Sequence, residues 1–232
     1  MEIQRHSIMS FFITHERRVI QMNTIKFGNK DSYNDFGLIL RPKERPFPSP
    51  KTNYVKIEGG DGDLDLTTSL TGDVKYENIS YSLEFTLKDK RVDWEDTLLK
   101  LSTYLHGKKM PLTFSEDPNW YYVGRYTLNP LTSDRNVGLL SIDCILEPYR
   151  LKKDETIKTI TGVGTLRLSN TRKWVMPTIT STSNMQITFE GKQFVVNGTL
   201  QSPDIILKEG ENIIEVTSGT GTLTVSYREG KL

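Results

Sequence analysis

The 232-residue sequence predicts a mainly β protein, all-β apart from one helix and so bordering on α+β, arranged as two consecutive units. Three observations carry this. Ile79, Tyr81, Leu83, Phe85 and Leu87 alternate with Ser80, Ser82, Glu84 and Thr86, the period-two pattern of a strand with one face on a core. Trp94, Leu98, Leu101 and Leu105 instead fall at i, i+4, i+7 and i+11, a single helical stripe. Past residue 154 the texture changes to short apolar runs separated by Gly-containing turn signals.

In chain order, strands are expected at 24–27, 36–40 and 54–57, then over Ile79–Leu87. Between the second and third lies a proline segment, with Arg41, Pro42, Pro46, Pro48 and Pro50, too rich in proline for a central strand. It is either an arm that straps onto a neighbouring copy or a surface loop on its own chain. The helix is expected over 93–105, with Asp93 as N-cap, Asp96 three residues on, and Gly107 as the stop before Lys108 and Lys109. Further strands follow at 111–114, 121–128 and Val137–Leu146.

A boundary falls near residue 150, where Pro148 and the charged run from Arg150 to Glu155 interrupt the strands. Beyond it, strands are expected at 164–168, 175–180, 185–190, 194–196, 205–207, 212–216 and 223–227. Glu190-Gly191-Lys192, Asn197-Gly198, Glu209-Gly210-Glu211 and Ser218-Gly219 mark the turns, Asn-Gly being a favoured type I′ pair. The domain reading is 1–21 leader, 22–150 first domain and 151–232 a C-terminal β-sandwich. The leader is too short and interrupted to span a membrane, and Glu16-Arg17-Arg18 stands where a signal peptide needs small residues. If Arg17-Arg18 are AGG codons they spell a ribosome-binding sequence ahead of Met22, which makes Met22 the expected native start.

Thirty basic and 29 acidic side chains leave a net charge of +1, with no bulk field to hold nucleic acid or an anionic membrane. Cys144 is the lone cysteine, so neither an intrachain disulfide nor a thiolate cluster is possible; in its apolar run it reads as a small core hydrophobe. The series Gly59, Gly60, Asp61, Gly62, Asp63 and Asp65 resembles a calcium loop until its positions are counted. From Asp61, position 6 is Leu66 and position 12 is Gly72, where an EF-hand requires glycine and a bidentate glutamate. The segment therefore reads as a turn into a strand, its aspartates solvated or capping backbone amides. No phosphate loop survives either, since Gly162-Val163-Gly164 lacks a third glycine.

Past Met22 the one available base is His106, at the helix end, where a charged imidazole would face the dipole. That explains it without catalysis. No enzyme, cofactor or metal is expected. Trp174 opens a strand in the second unit and could stack on a sugar ring; alternation sets Tyr121 on the face opposite Trp120 and Tyr122, placing at least one of the three in the core.

These pieces, in this order, resemble the distal tail protein family of siphophages and prophages. The resemblance rests on Phe36-Gly37-Leu38, the proline segment, the turn from Gly59 to Asp65, the alternating strand and the Trp94 helix. It continues through the run from Pro111 to Pro118, Tyr121-Tyr122, and Cys144 to Tyr149, and more weakly through Leu207 to Ile214 and the strand pair ending at Tyr227. It implies a β-sandwich-like ring domain with one helix and an extended arm, followed by a galectin-like or jelly-roll sandwich. It further implies a virion structural protein at the tail tip or baseplate, made in the bacterial host cytoplasm and engaged in host adsorption. Its copies would form a homo-hexameric ring between the tail tube protein and the tail-associated hub, lysin or receptor-binding protein, with DNA only as passing cargo and no membrane partner. The alternative is a carbohydrate-binding adaptor that grips a host glycan through the C-terminal sandwich, with Trp174 as contact.

Overall fold

The computed structural model describes residues 24–87, 94–130, 132–134 and 137–232. The leader and the Asp93 cap lie outside the described residues. The protein is mainly β with a single described helix, as the alternation predicts.

The first sheet gathers β1 (Ile25–Phe27), β2 (Lys30–Asp31) and β3 (Leu38–Leu40), while β4 (Tyr54–Lys56) and β5 (Asp63–Asp65) form a separate two-stranded ribbon. After β6 (Ile79–Leu87) come α1 (Trp94–Leu105), β7 (Lys109–Phe114), β8 (Trp120–Leu128), β9 (Thr132–Asp134) and β10 (Val137–Leu146). The main path of the sheet runs β2-β1-β7-β8-β10-β6-β3, every pair antiparallel. Leu38 N–H donates to the Ser32 carbonyl at 2.8 Å, so the sheet curls until its first and last strands meet.

Residues inside the curl are those the alternation selects. Ile79, Tyr81, Leu83 and Phe85 face inward from β6, and Leu140, Ile142, Cys144 and Leu146 from β10. The helix adds Leu101 and Leu105, and fully burying each such side chain is worth roughly 1.5–3 kcal/mol. Trp94 packs against this core at one strict point of entry. A Cβ on Gly138 would stand 2.3 Å from its indole, so the ring lies against bare backbone of β10. Tyr126 is fully buried, edge-on to Phe27 at 5.3 Å, and its hydroxyl donates to the Met110 carbonyl at 3.1 Å.

The remaining strands are β11 (Arg150–Lys152), β12 (Thr156–Thr161), β13 (Gly164–Asn170), β14 (Thr178–Phe189), β15 (Lys192–Leu200), β16 (Gly210–Ser218), β17 (Thr222–Tyr227) and β18 (Gly230–Lys231). The second sheet runs β12-β17-β14-β16-β13, with β15 paired to β14. Its core is aliphatic, built on Leu168, Ile179, Ile187, Val196, Ile214 and Val225.

Several expectations need correction here. The strands predicted at 175–180 and 185–190 are one strand, β14, carrying a bulge between Ser181 and Met185. Asn197-Gly198 is not a turn; it lies inside β15 beside that bulge. The true hairpin turn is Glu190-Gly191, with φ of 46° and 79° at its two residues, the type I′ signature. Ile205 and Leu207 are buried but form no strand, only a bridge from Leu207 to Val175. The segment over Thr156–Thr161, unmarked by the pattern, is strand β12.

Candidate functional site

Between β3 and β6 the chain leaves the sheet and returns to it, and this excursion holds most of the residues singled out from sequence. Its first limb is the proline segment, which is laid along its own subunit. Arg41 N–H donates to the Glu84 carbonyl at 2.9 Å and the two side chains pair at 3.4 Å. The Tyr81 hydroxyl donates to the Lys43 carbonyl at 3.2 Å. Arg45 pairs with Glu116 and stands 4.4 Å from the centre of the Phe114 ring. Pro42 and Pro46 are exposed, Pro48 is buried, and Pro50 bridges Tyr76 on the returning limb. Of the two readings of this arm, these contacts favour the surface loop, while the large apolar Phe47 points out at 81% exposure.

The second part is the hairpin of β4 and β5. Gly59 and Gly62 turn it at φ of 76° and 74°, a conformation that costs glycine nothing, and Gly60 N–H donates back to the Ile57 carbonyl. The three aspartates of the hairpin are all exposed. Asp61 is exposed in the turn and Asp63 sits opposite Lys56. Asp65 accepts the Thr67 N–H at 2.8 Å, and hydrogen bonds from Thr67 hold its carboxyl below the usual range. Every residue from Ser49 to Asp65 is exposed, including Tyr54, Val55, Ile57 and Leu64.

The returning limb is clamped to the second unit. Arg172 grips Asp73 in a bidentate pair at 2.9 and 3.1 Å, and the two side chains are only 22% and 11% exposed. The Asp73 hydrogen bonds drive the guanidinium further up from an already high value. Tyr76 stacks edge-on against Tyr149 at 5.9 Å. Trp174 belongs to this junction: the Lys75 and Lys208 ammoniums lie 5.0 and 5.8 Å from its ring centre, and a Cβ on Gly72 would touch its indole at 3.5 Å. The sequence carried no signal for this clamp, because Arg172 and Asp73 meet across 99 positions.

A second seam lies where the chain passes from one sheet to the other. β11 pairs with β8 and also with β18, so the last residues of the chain return to the first sheet. Lys152 and Thr156 both reach Glu229 at 2.6 Å. Burial opposes ionisation of Glu229, but those two hydrogen bonds and the Lys152 charge outweigh it and hold the carboxyl below its ordinary value. Lys231 covers Trp120 at 4.1 Å, while Tyr122 is buried in the core.

Cys144 and His106 are both engaged within the fold. Cys144 is 1% exposed, and burial pushes its thiol up, away from the nucleophilic thiolate. His106, at the end of α1, is held by the neighbouring strand β8. Its Nδ1 accepts the Leu128 N–H at 3.1 Å. Among the described residues, no three His, Cys, Asp or Glu side chains converge as a metal site would need.

With this geometry in view, comparison with known proteins is informative at one level. No family description and no curated protein matches the sequence. Among solved structures, the chain superposes on the SPP1 Dit (gp 19.1) protein with a TM-score of 0.67, covering 90% of this chain and 99% of that one. The chain has the SPP1 Dit fold. At 16% identity the likeness is one of fold, and it spans both sheets and the whole length of that protein. SPP1 Dit is a paradigm of the hub adsorption apparatus in phages that infect Gram-positive bacteria.

Proposed function

We propose that this chain is a non-enzymatic component of a phage or prophage tail tip, a ring-forming hub that joins the tail tube to the tail-associated hub or receptor-binding protein. The observation that carries the reading is the likeness of fold to SPP1 Dit, which extends over 90% of this chain and 99% of that one. The exposed excursion between β3 and β6 supports it, since a protein that works through subunit contacts must hold interface outside its own core. In this reading residues 22–150 build the ring, residues 151–232 project from it, and DNA passes through the channel without being read.

Native mass spectrometry and sedimentation of the full chain, alone and with tail-tube and hub proteins from the same gene cluster, test it. A closed ring of six copies, or ring closure on adding the tube protein, is the expected result. A strict monomer at high concentration that binds neither protein overturns it. The carbohydrate-adaptor reading has less support, because Trp174 already packs at the junction with two lysines over its ring. Cell-wall pull-down by the full chain, lost on Trp174→Ala with the fold retained, would restore it.

A further inference from the structure

The ring reading leaves open which surfaces meet, and the hairpin of β4 and β5 supplies an answer that rests on that reading. We propose that this hairpin docks head-to-tail into the lysine-lined groove beside α1 of a second copy of the chain.

The hairpin has the composition of an interface and no core of its own. The register sets Val55 opposite Leu64, while Tyr54 and Lys56 face Asp65 and Asp63 on the other side. One face is thus apolar and exposed, and a two-stranded ribbon in water is marginal without something to cover it. Its tip is acidic: Glu58, Asp61, Asp63 and Asp65 follow one another with no basic residue between Ile57 and Asp65.

The complementary surface lies on the same molecule. Lys30, Lys100 and Lys108 line an open groove with Leu99, Thr103 and Tyr104, and no carboxylate lines it among the described residues. Asp96, one turn before Lys100, stands 4.0 Å from its ammonium and is largely in solvent. Two of the lysines are held in place, Lys30 at 4.7 Å from the centre of the Tyr104 ring and Lys108 by donating to the Thr103 carbonyl at 2.7 Å. Leu99 is 66% exposed, off the buried stripe of its helix, and offers the apolar counterpart to Val55 and Leu64. Four carboxylates with an apolar flank match three ammoniums with an apolar flank.

Position makes the contact one between copies. The hairpin is rooted where Pro50 bridges Tyr76, just before the Ile79 end of β6. The groove lies at the other end, where Phe36 meets Tyr104 and Leu38 pairs with Leu87. A strand of this length separates the two by about 27 Å. Within one chain the hairpin is exposed and the groove is open, so the two do not meet there; two different patches meeting between copies make a heterologous contact, the kind that generates rings when the rotation closes.

The test uses the full chain at low and high salt. Lys100→Glu with Lys108→Glu, and separately Asp61→Lys with Asp63→Lys, should each weaken self-association by about tenfold or more at low salt, and the four changes together should restore it. Mixing Asp61→Cys protein with Lys100→Cys protein should give an intermolecular disulfide, with buried Cys144 silent. If the wild-type chain forms rings but the charge reversals leave them intact and no cross-link forms, this interface is wrong while the ring reading stands. If the hairpin variant keeps its rings but loses the tube or hub protein, the hairpin serves that partner and the proposal is overturned. A wild-type chain that never associates, alone or with tail proteins, removes the ring reading itself.

Discussion

The two cores of this molecule are filled differently. The first holds Phe27, Phe36, Tyr81, Phe85, Phe114, Tyr122 and Tyr126 together with a helix; the second holds mostly aliphatic side chains, with Phe189 and Tyr227 the buried aromatics. Rings span the wide interior of the curled first sheet in tilted and edge-on contacts, Phe27 with Phe85 at 6.3 Å and Phe114 with Tyr122 at 6.4 Å. The second unit fills itself from strand alternation alone and keeps its chain in short connections. The first, for all its aromatic mass, leaves the whole stretch from Ser49 to Asp65 outside. Burial capacity is therefore not what limits the first unit; the excursion is surplus to its core, which is why its surface is better explained by partners than by folding.

Three measurements sharpen or break this contrast. The largest effect is expected from core truncation. Phe85→Ala should cost about 3–5 kcal/mol and Ile187→Ala about 2–5 kcal/mol. Followed by denaturant titration, each should shift a different transition if the cores unfold separately. A single transition moved by both would show that the junction fuses the units into one cooperative body. Next is the clamp. Arg172→Ala leaves Asp73 little exposed and without its bidentate partner, and should cost about 1–3 kcal/mol. A double-mutant cycle with Asp73→Ala checks that the loss is theirs; no coupling would reduce the clamp to a surface contact.

The smallest effect is at the seam. The folded-state carboxyl of Glu229 is held below its ordinary value, so its contribution is present above about pH 4.3, the unfolded value, and fades as pH falls through the lower folded one. Because Lys152 is 37% exposed, solvent screens the pair and the contribution is about 1 kcal/mol or less. Glu229→Gln should lower the melting temperature at pH 7 and match the wild type at pH 2–3. An equal deficit at both would mean that packing, not charge, is lost.

Where one face of a strand is buried and the other wet, the sequence is readable. Ile79–Leu87 and Val137–Leu146 were predicted with the ends they have, because each inward side chain alternates with an outward one. The helix was readable for the same reason at a different period. What was not readable is long-range or non-periodic. Thr156–Thr161 is largely exposed, so no alternation announced it. The bulge in β14 broke its period and split one strand into two. Asn197-Gly198 had a turn's chemistry but met a partner strand already paired around it, so tertiary context won. At the candidate site, the acid-rich turn and the proline arm were visible as composition. The exposure of Tyr54, Val55, Ile57 and Leu64 was not, nor was the bond between Asp73 and Arg172.

The return of β18 to β11 has a mechanical meaning. A unit joined by one linker swivels freely about it; this one is fastened by its entering and leaving strands, β11 on β8 and β18 on β11, and locked by Arg150, which donates to the carbonyl of Leu232 at 2.5 Å. Two adjacent anchors resist twisting, and the Arg172 clamp adds a third tie beside them, since the Lys173 N–H and the Thr171 hydroxyl both donate to the Gly230 carbonyl of β18. With three ties in place of a single linker, a pull on the second unit reaches the first sheet through several bonds at once rather than through one joint.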